Sequence, residues 1–256
     1  MARKIVITSG KGGVGKTTVC CYLACYIASR GKSVVLCDAD FGLNNIDVVT
    51  GVENRVTYDL VDVIEGRCRA VQALVKHPLY PNLHILTSSH SAPERYVSPQ
   101  ALKLVLDGLS QKFDYIFIDC PAGIDDGFHR AVSVADEAIV VTTPHISALR
   151  DADKVITLLK SYRLKTVETV INKVRGDLLV SGESLTPREI QELLRVSVLG
   201  IIPEEYAIYA GGLRQIHPAF KTLGNNLLLG KNKAYDVTRK YRGFFGGIRK
   251  MLKRSL

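Results

Sequence analysis

The 256-residue sequence predicts an α/β fold: a doubly wound, mostly parallel sheet with helices on both faces and a C-terminal amphipathic tail. Three observations predict it. Apolar runs of strand length alternate with helix-like stretches along the chain. The runs are continuously apolar, as strands covered on both faces are. One compositional break, after about residue 230, separates a body from a basic end. The length suits one large domain, and 46% hydrophobic residues can fill its core.

The first strand is expected over 4–8 (KIVIT), followed by a glycine-rich stretch and a helix over 16–30. Further strands are expected over 33–38, 83–87, 115–119, 137–143, 166–172 and 198–202, with helices over 99–111, 147–162 and 187–194. Thr186 and Pro187 open the last helix as N-cap and first-turn proline. Such alternation implies right-handed crossovers, with ligands bound at the carboxyl ends of the strands. There is no internal repeat and no low-complexity linker, so one domain over 1–235 is expected, then a linker and tail over 236–256.

Composition narrows the function classes. No apolar run reaches the roughly 18 residues of a membrane-spanning helix. The chain enters a strand at once, without an apolar leader, which predicts a cytoplasmic location. Six cysteines without a CxxC pair signal neither zinc nor redox chemistry and read as small buried hydrophobes. The net charge of +9 would suit a nucleic-acid binder, but residues 231–256 hold nine basic residues and one acid, leaving only +1 for residues 1–230. A nearly neutral body argues against specific nucleic-acid binding and points to a surface contact made by the tail.

Residues 10–17 read Gly-Lys-Gly-Gly-Val-Gly-Lys-Thr, a match to GxxxxGK[ST] lying between a strand and a helix. Glycines there let successive backbone N–H groups turn around phosphate oxygens, and the helix N-terminus adds its dipole. Gly10, Lys11, Gly12, Gly13, Val14, Gly15, Lys16, Thr17 and Thr18 are the expected ATP-binding loop, a fold of P-loop NTPase type. In it Lys16 reaches the β/γ-phosphates and Thr17 ligates Mg²⁺.

The extra lysine makes the loop more specific. KGGVGKTT resembles the deviant Walker A of the MinD/ParA family of ATPases. The resemblance implies that Lys11 reaches across a nucleotide-sandwich homodimer to the partner's phosphates, as an arginine finger does. Residues 38–47 (DADFGLNNID) resemble the family's first switch: Asp38 would hold the water shell of Mg²⁺, Asp40 would position the attacking water, and Asn45 would face the nucleotide. YIFIDCPAGID resembles the second switch, with Asp119 completing the outer oxygen shell of the metal opposite Thr17. Asn172 resembles the adenine-recognising asparagine, and Pro203 and Glu204 the base-contacting loop after it. Lys11, Lys16 and Asp40 are thus the catalytic candidates. With no obvious strong general base, slow intrinsic hydrolysis is expected.

The tail discriminates within the family. Over 243–256, at about 100° per residue, Phe244, Phe245, Ile248, Met251, Leu252 and Leu256 fall within an arc of roughly 140°. Arg249, Lys250, Lys253 and Arg254 take the other side, the pattern of an interfacial helix. Four or five basic residues near an anionic surface contribute only about 4–5 kcal/mol, so a single tail binds reversibly and a pair in a dimer gains avidity. This tail is similar to the membrane-targeting sequence of the MinD branch, whose members place the division septum. Residues 147–153 (SALRDAD) resemble the helix start where that branch binds its MinC inhibitor. The resemblance implies an ATP-dependent dimer on the cytoplasmic face of the inner membrane, recruiting a MinC-like septation inhibitor and stimulated by a MinE-like or other regulator. A ParA-type partition ATPase and a flagellar-number regulator are the alternatives. The switch usually reads Gly-Leu-Arg-Asn, and Asn44 stands here where the arginine does.

Overall fold

The computed structural model describes residues 1–41, 45–88 and 97–242. The expected membrane residues Phe244, Phe245, Ile248, Arg249, Lys250, Met251, Leu252, Lys253 and Arg254 lie outside this range, as does Asn44.

In chain order the elements are β1 (Arg3–Thr8), α1 (Lys16–Ser29), β2 (Val34–Asp38), α2 (Ile46–Thr50), α3 (Leu60–Ile64), β3 (Val75–Lys76), β4 (Leu83–Leu86), α4 (Pro99–Ser110) and β5 (Tyr115–Asp119). There follow α5 (Asp126–Ser133), β6 (Glu137–Thr142), α6 (Ile146–Leu159), β7 (Thr166–Val174), α7 (Gly176–Ser181), α8 (Pro187–Leu194), β8 (Ser197–Pro203), α9 (Tyr206–Ala210) and α10 (Pro218–Leu229). One sheet has the order β3-β4-β2-β5-β1-β6-β7-β8. Its ladders are parallel except β3–β4. The antiparallel β3 is a two-residue edge strand, too short to show in a sequence pattern.

The continuously apolar strands are buried on both faces. Val6, Val35, Cys37, Ile116 and Ile118 face one core, while Ile5, Ile7, Leu36 and Phe117 face the other. In α1, every residue from Val19 to Ala28 is buried, because the helix is sandwiched between the sheet and α10. Tyr22 stacks on Phe220 of α10 with ring centroids 4.3 Å apart. Cys20, Cys21 and Cys25 are buried in this helix, and Cys37 and Cys120 are buried at strand ends; Cys68 is half-buried.

A tight crossing of α1 and α10 depends on Gly224, where an added Cβ would lie 2.1 Å from the Tyr26 ring. Gly224→Ala is therefore expected to lower stability by about 1–3 kcal/mol, the usual range for overpacking. Denaturant unfolding with an unchanged m-value checks it.

Several boundaries differ from expectation. The helix expected over 147–162 ends at Leu159, where Ser161 and Tyr162 close tighter turns onto the carbonyls of Leu158 and Leu159. The strand expected over 166–172 continues to Val174 through a register shift between Ile171 and Val174. Past residue 235 the chain still packs: Val237 is buried, and its carbonyl lies where a side chain on Gly176 would stand. Among the described residues no helix is long and apolar enough to cross a membrane.

Candidate functional site

The glycine-rich loop joins β1 to α1 at the carboxyl edge of the sheet. Gly13 and Gly15 hold φ of +77° and +90°, which L side chains rarely adopt, so the turn needs glycine at both. Gly15 is the N-cap of α1, and the first turn carries neither a capping side chain nor an acid. Its N–H groups are thus left to an external anion.

The charged centre forms where β1, β2 and β5 end side by side. Asp38 of β2 and Asp119 of β5 are register partners, as are Ile7 and Asp119. Lys16 Nζ lies 3.0 Å from Asp119 Oδ1 in a buried ion pair, and Thr17 Oγ1 donates to Asp119 Oδ2 at 2.6 Å. Burial works against the Lys16 charge, but Asp119 outweighs it and raises the ammonium above its ordinary value. Burial likewise pushes Asp119 up, against the pull of Lys16 and Thr17.

Asp38 points to the kind of ligand the centre fits. It accepts the backbone N–H of Asp40 at 2.9 Å, yet burial and the neighbouring Asp119 push its carboxyl up to about 7. Two carboxylates and a threonine hydroxyl share this pocket with one ammonium, a donor set that fits a hard divalent cation. Among the described residues no group of three or more His, Cys, Asp and Glu forms a closed metal cage. A magnesium ion held here would keep waters and take further oxygens from phosphate groups.

On the other flank, Asn172 Nδ2 donates to the Val14 carbonyl at 2.8 Å, and a side chain on Gly15 would collide with it at 2.3 Å. Pro203 pairs with Val174 in the ladder, and Glu204 N–H donates to the Val174 carbonyl. Asn172, Pro203 and Glu204 thus come from adjacent strand ends. Lys173, not singled out in the sequence, has φ of +54° and donates from Nζ to the Gly13 carbonyl at 2.7 Å. This left-handed conformation, which costs a non-glycine residue about 1–3 kcal/mol, accompanies the turn of the lysine onto the glycine-rich loop. The polar Asn-Lys pair interrupting an apolar strand was its only signal.

The N-terminal half of α6 packs beside the loop. Lys11 is exposed, and its Nζ lies 3.1 Å from Ser147 Oγ. Gly10 sits so close to α6 that a Cβ would stand 2.3 Å from the Asp151 carbonyl oxygen. Asp40 is half-buried beside the Asp38 carboxylate, and Asn45 is exposed one residue before α2.

The profile of a family described as AAA domain matches residues 2–173. The septum site-determining protein MinD of Bacillus subtilis is 47% identical over 80% of this chain and 77% of its own length. The chain belongs to the MinD family of septum site-determining ATPases. Two solved members have the same fold. MinD in the MinC:MinD cell division complex of Aquifex aeolicus is 35% identical with a TM-score of 0.82, over 91% of this chain and 97% of that one. MinD of Pyrococcus horikoshii, complexed with Mg-ADP, is 32% identical with a TM-score of 0.79, over 89% and 96%. As a member of the MinD family the chain is an ATPase, and division-site placement is its task.

Proposed function

We propose that this MinD-family ATPase is a membrane switch: it dimerises around ATP, holds an anionic inner-membrane surface through residues 243–256, and lets go after hydrolysis. The observation that carries the reading is the convergence of Lys16, Thr17, Asp38 and Asp119 beneath an uncapped helix N-terminus. Lys16 and the loop N–H groups hold the β- and γ-phosphates. Thr17, Asp38 and Asp119 hold Mg²⁺ and its waters, and the ion neutralises phosphate charge when bound. The Mg-ADP bound by the Pyrococcus horikoshii protein supports this ligand set. Asn172, Pro203 and Glu204 flank the base, and Asp40 orients the attacking water.

Lys11 acts in trans. Its only partner among the described residues is the neutral Ser147 hydroxyl, so none of their charges holds it. It is placed to stabilise negative charge across a dimer. The exposed start of α6, with Ile146 and Arg150 outward, is the docking surface for a MinC-like inhibitor. The complex formed by the Aquifex aeolicus protein supports that partner. A MinE-like or other regulator raises the slow hydrolysis rate.

Sedimentation with anionic vesicles tests the switch, comparing ATP with ADP and the full chain with one ending at Arg242. The expected result is binding that needs both ATP and residues 243–256. Two tails acting together gain about 10²–10⁴ over one. Binding that ignores the nucleotide would reduce the tail to a plain anchor. Asp40→Ala should give a dimer that binds vesicles and does not turn over; normal hydrolysis by that variant would remove Asp40 from the mechanism.

A further inference from the structure

A buried cation of α5 stands outside the phosphate and metal ligands. Arg130 is only 6% exposed, on a helix whose Phe128, Ala131 and Val132 fill the core. A charge taken into the interior needs compensating partners, and an aromatic face is one of them here. The guanidinium Cζ of Arg130 stands over the Phe41 ring, 5.4 Å from its centre. That is within reach of a cation–π attraction, which is strongest between desolvated groups. Phe41 is buried as well.

Both partners belong to segments that lead away from the nucleotide site. Phe41 directly follows Asp40. On the near side of Asp40 the backbone is tied to the metal carboxylates: Ala39 N–H donates to the Asp119 carbonyl at 2.9 Å, and Asp40 N–H to Asp38 Oδ1. The Asp40 carboxylate is itself among the charges acting on Lys16 and Asp119, behind burial and the attraction of that pair for each other. The segment after β5 is tied to the phosphate loop's approach, because Cys120 N–H donates to the Ile7 carbonyl and Gly123 N–H to the Ser9 carbonyl. It then runs into α5, which carries Arg130. The contact of Arg130 with Phe41 therefore joins the segment after β2 to the segment after β5 inside the core.

We propose that Arg130 is a positioning residue for hydrolysis: its guanidinium, laid over the Phe41 ring, holds the chain after β2 against α5 and keeps Asp40 aimed at the attacking water. This rests on the reading of Asp40 as the residue that orients that water. The nucleotide is held elsewhere, by the phosphate loop and the Asn172 flank. The pair thus acts on turnover and not on nucleotide affinity.

Basal phosphate release by the full-length protein with Mg-ATP tests this. Arg130→Met should lower kcat about tenfold, less than the roughly 10²-fold of a 1 Å displacement, because Asp40 keeps its bond to Asp38. KM and ADP affinity should stay within about twofold, the pattern of an interaction that matters in the transition state. Phe41→Leu should do the same, and the double variant should lose no more than either single one. Arg130→Lys keeps a charge at the ring and should recover most of the rate. Lysine and methionine are alike in length, so packing alone does not separate them. A parental kcat in Phe41→Leu overturns the proposal, even if Arg130→Met does not fold. Additive losses in the double variant overturn it too, as do equal rates with Lys and Met at 130 or a KM that rises in step with the loss of kcat. Asp40→Ala, assayed alongside, separates the two claims. An inactive Asp40→Ala beside a fully active Arg130→Met sinks the role of Arg130 alone. A fully active Asp40→Ala sinks the assignment of Asp40, and with it the target that Arg130 is proposed to hold.

Discussion

Lys16→Ala should abolish ATP hydrolysis and destabilise the nucleotide-free protein as well. Removing a positioned cation from transferring phosphate groups commonly lowers turnover by about 10³-fold or more. The structural effect comes from Asp119. That carboxylate is buried, and Lys16 is its ion-pair partner at 3.0 Å. Deleting one member of a buried pair costs about 3–5 kcal/mol, because the other charge is left in the interior. Thr17 Oγ1 still donates to Asp119 and offsets part of this. Denaturant unfolding in a chelating buffer reads the stability, and phosphate release reads the activity. An inactive variant of unchanged stability would mean that Asp119 does not depend on Lys16 for its charge.

Gly10→Ala should cut hydrolysis by about 10²-fold while the protein stays folded. An added Cβ would meet the Asp151 carbonyl oxygen at 2.3 Å and its carbon at 2.4 Å. Both are backbone atoms of α6 and cannot rotate away, so loop and helix must part by about 1 Å. A misplacement of that size in a positioning loop costs about 10²-fold in rate. It also draws Lys11 away from Ser147. Gly12→Ala is the control, since a Cβ there meets nothing within 4 Å. Its stability should stay within about 0.5 kcal/mol of the parent. Equal losses of stability in both variants would show that the contact with α6 is not what constrains Gly10.

Much of this molecule is legible before folding. The loop 10–17 is contiguous, so its glycines, two lysines and threonine announce phosphate chemistry by spacing alone. The strands are legible because burial on both faces keeps their central residues apolar, as in Ile5–Ile7 and Ile116–Ile118. The short helices α2, α3, α7 and α9 carry too few residues for a period, and α10 lies in a segment that reads without a clear pattern.

By itself the sequence determined the α/β class and the family, because each is written in consecutive residues or in a local period. Only the tertiary structure decided which carboxylates meet. Asp38 and Asp119 are neighbours because β2 and β5 pair, across eighty-one positions of chain. It also decided that Asn172 and Lys173 clasp the loop from the far side of β6, and that Gly10 is fixed by the backbone of α6. These contacts depend on the order of strands in the sheet. That order is set by the packing of two cores and the hand of the crossovers, which no stretch of neighbouring residues encodes.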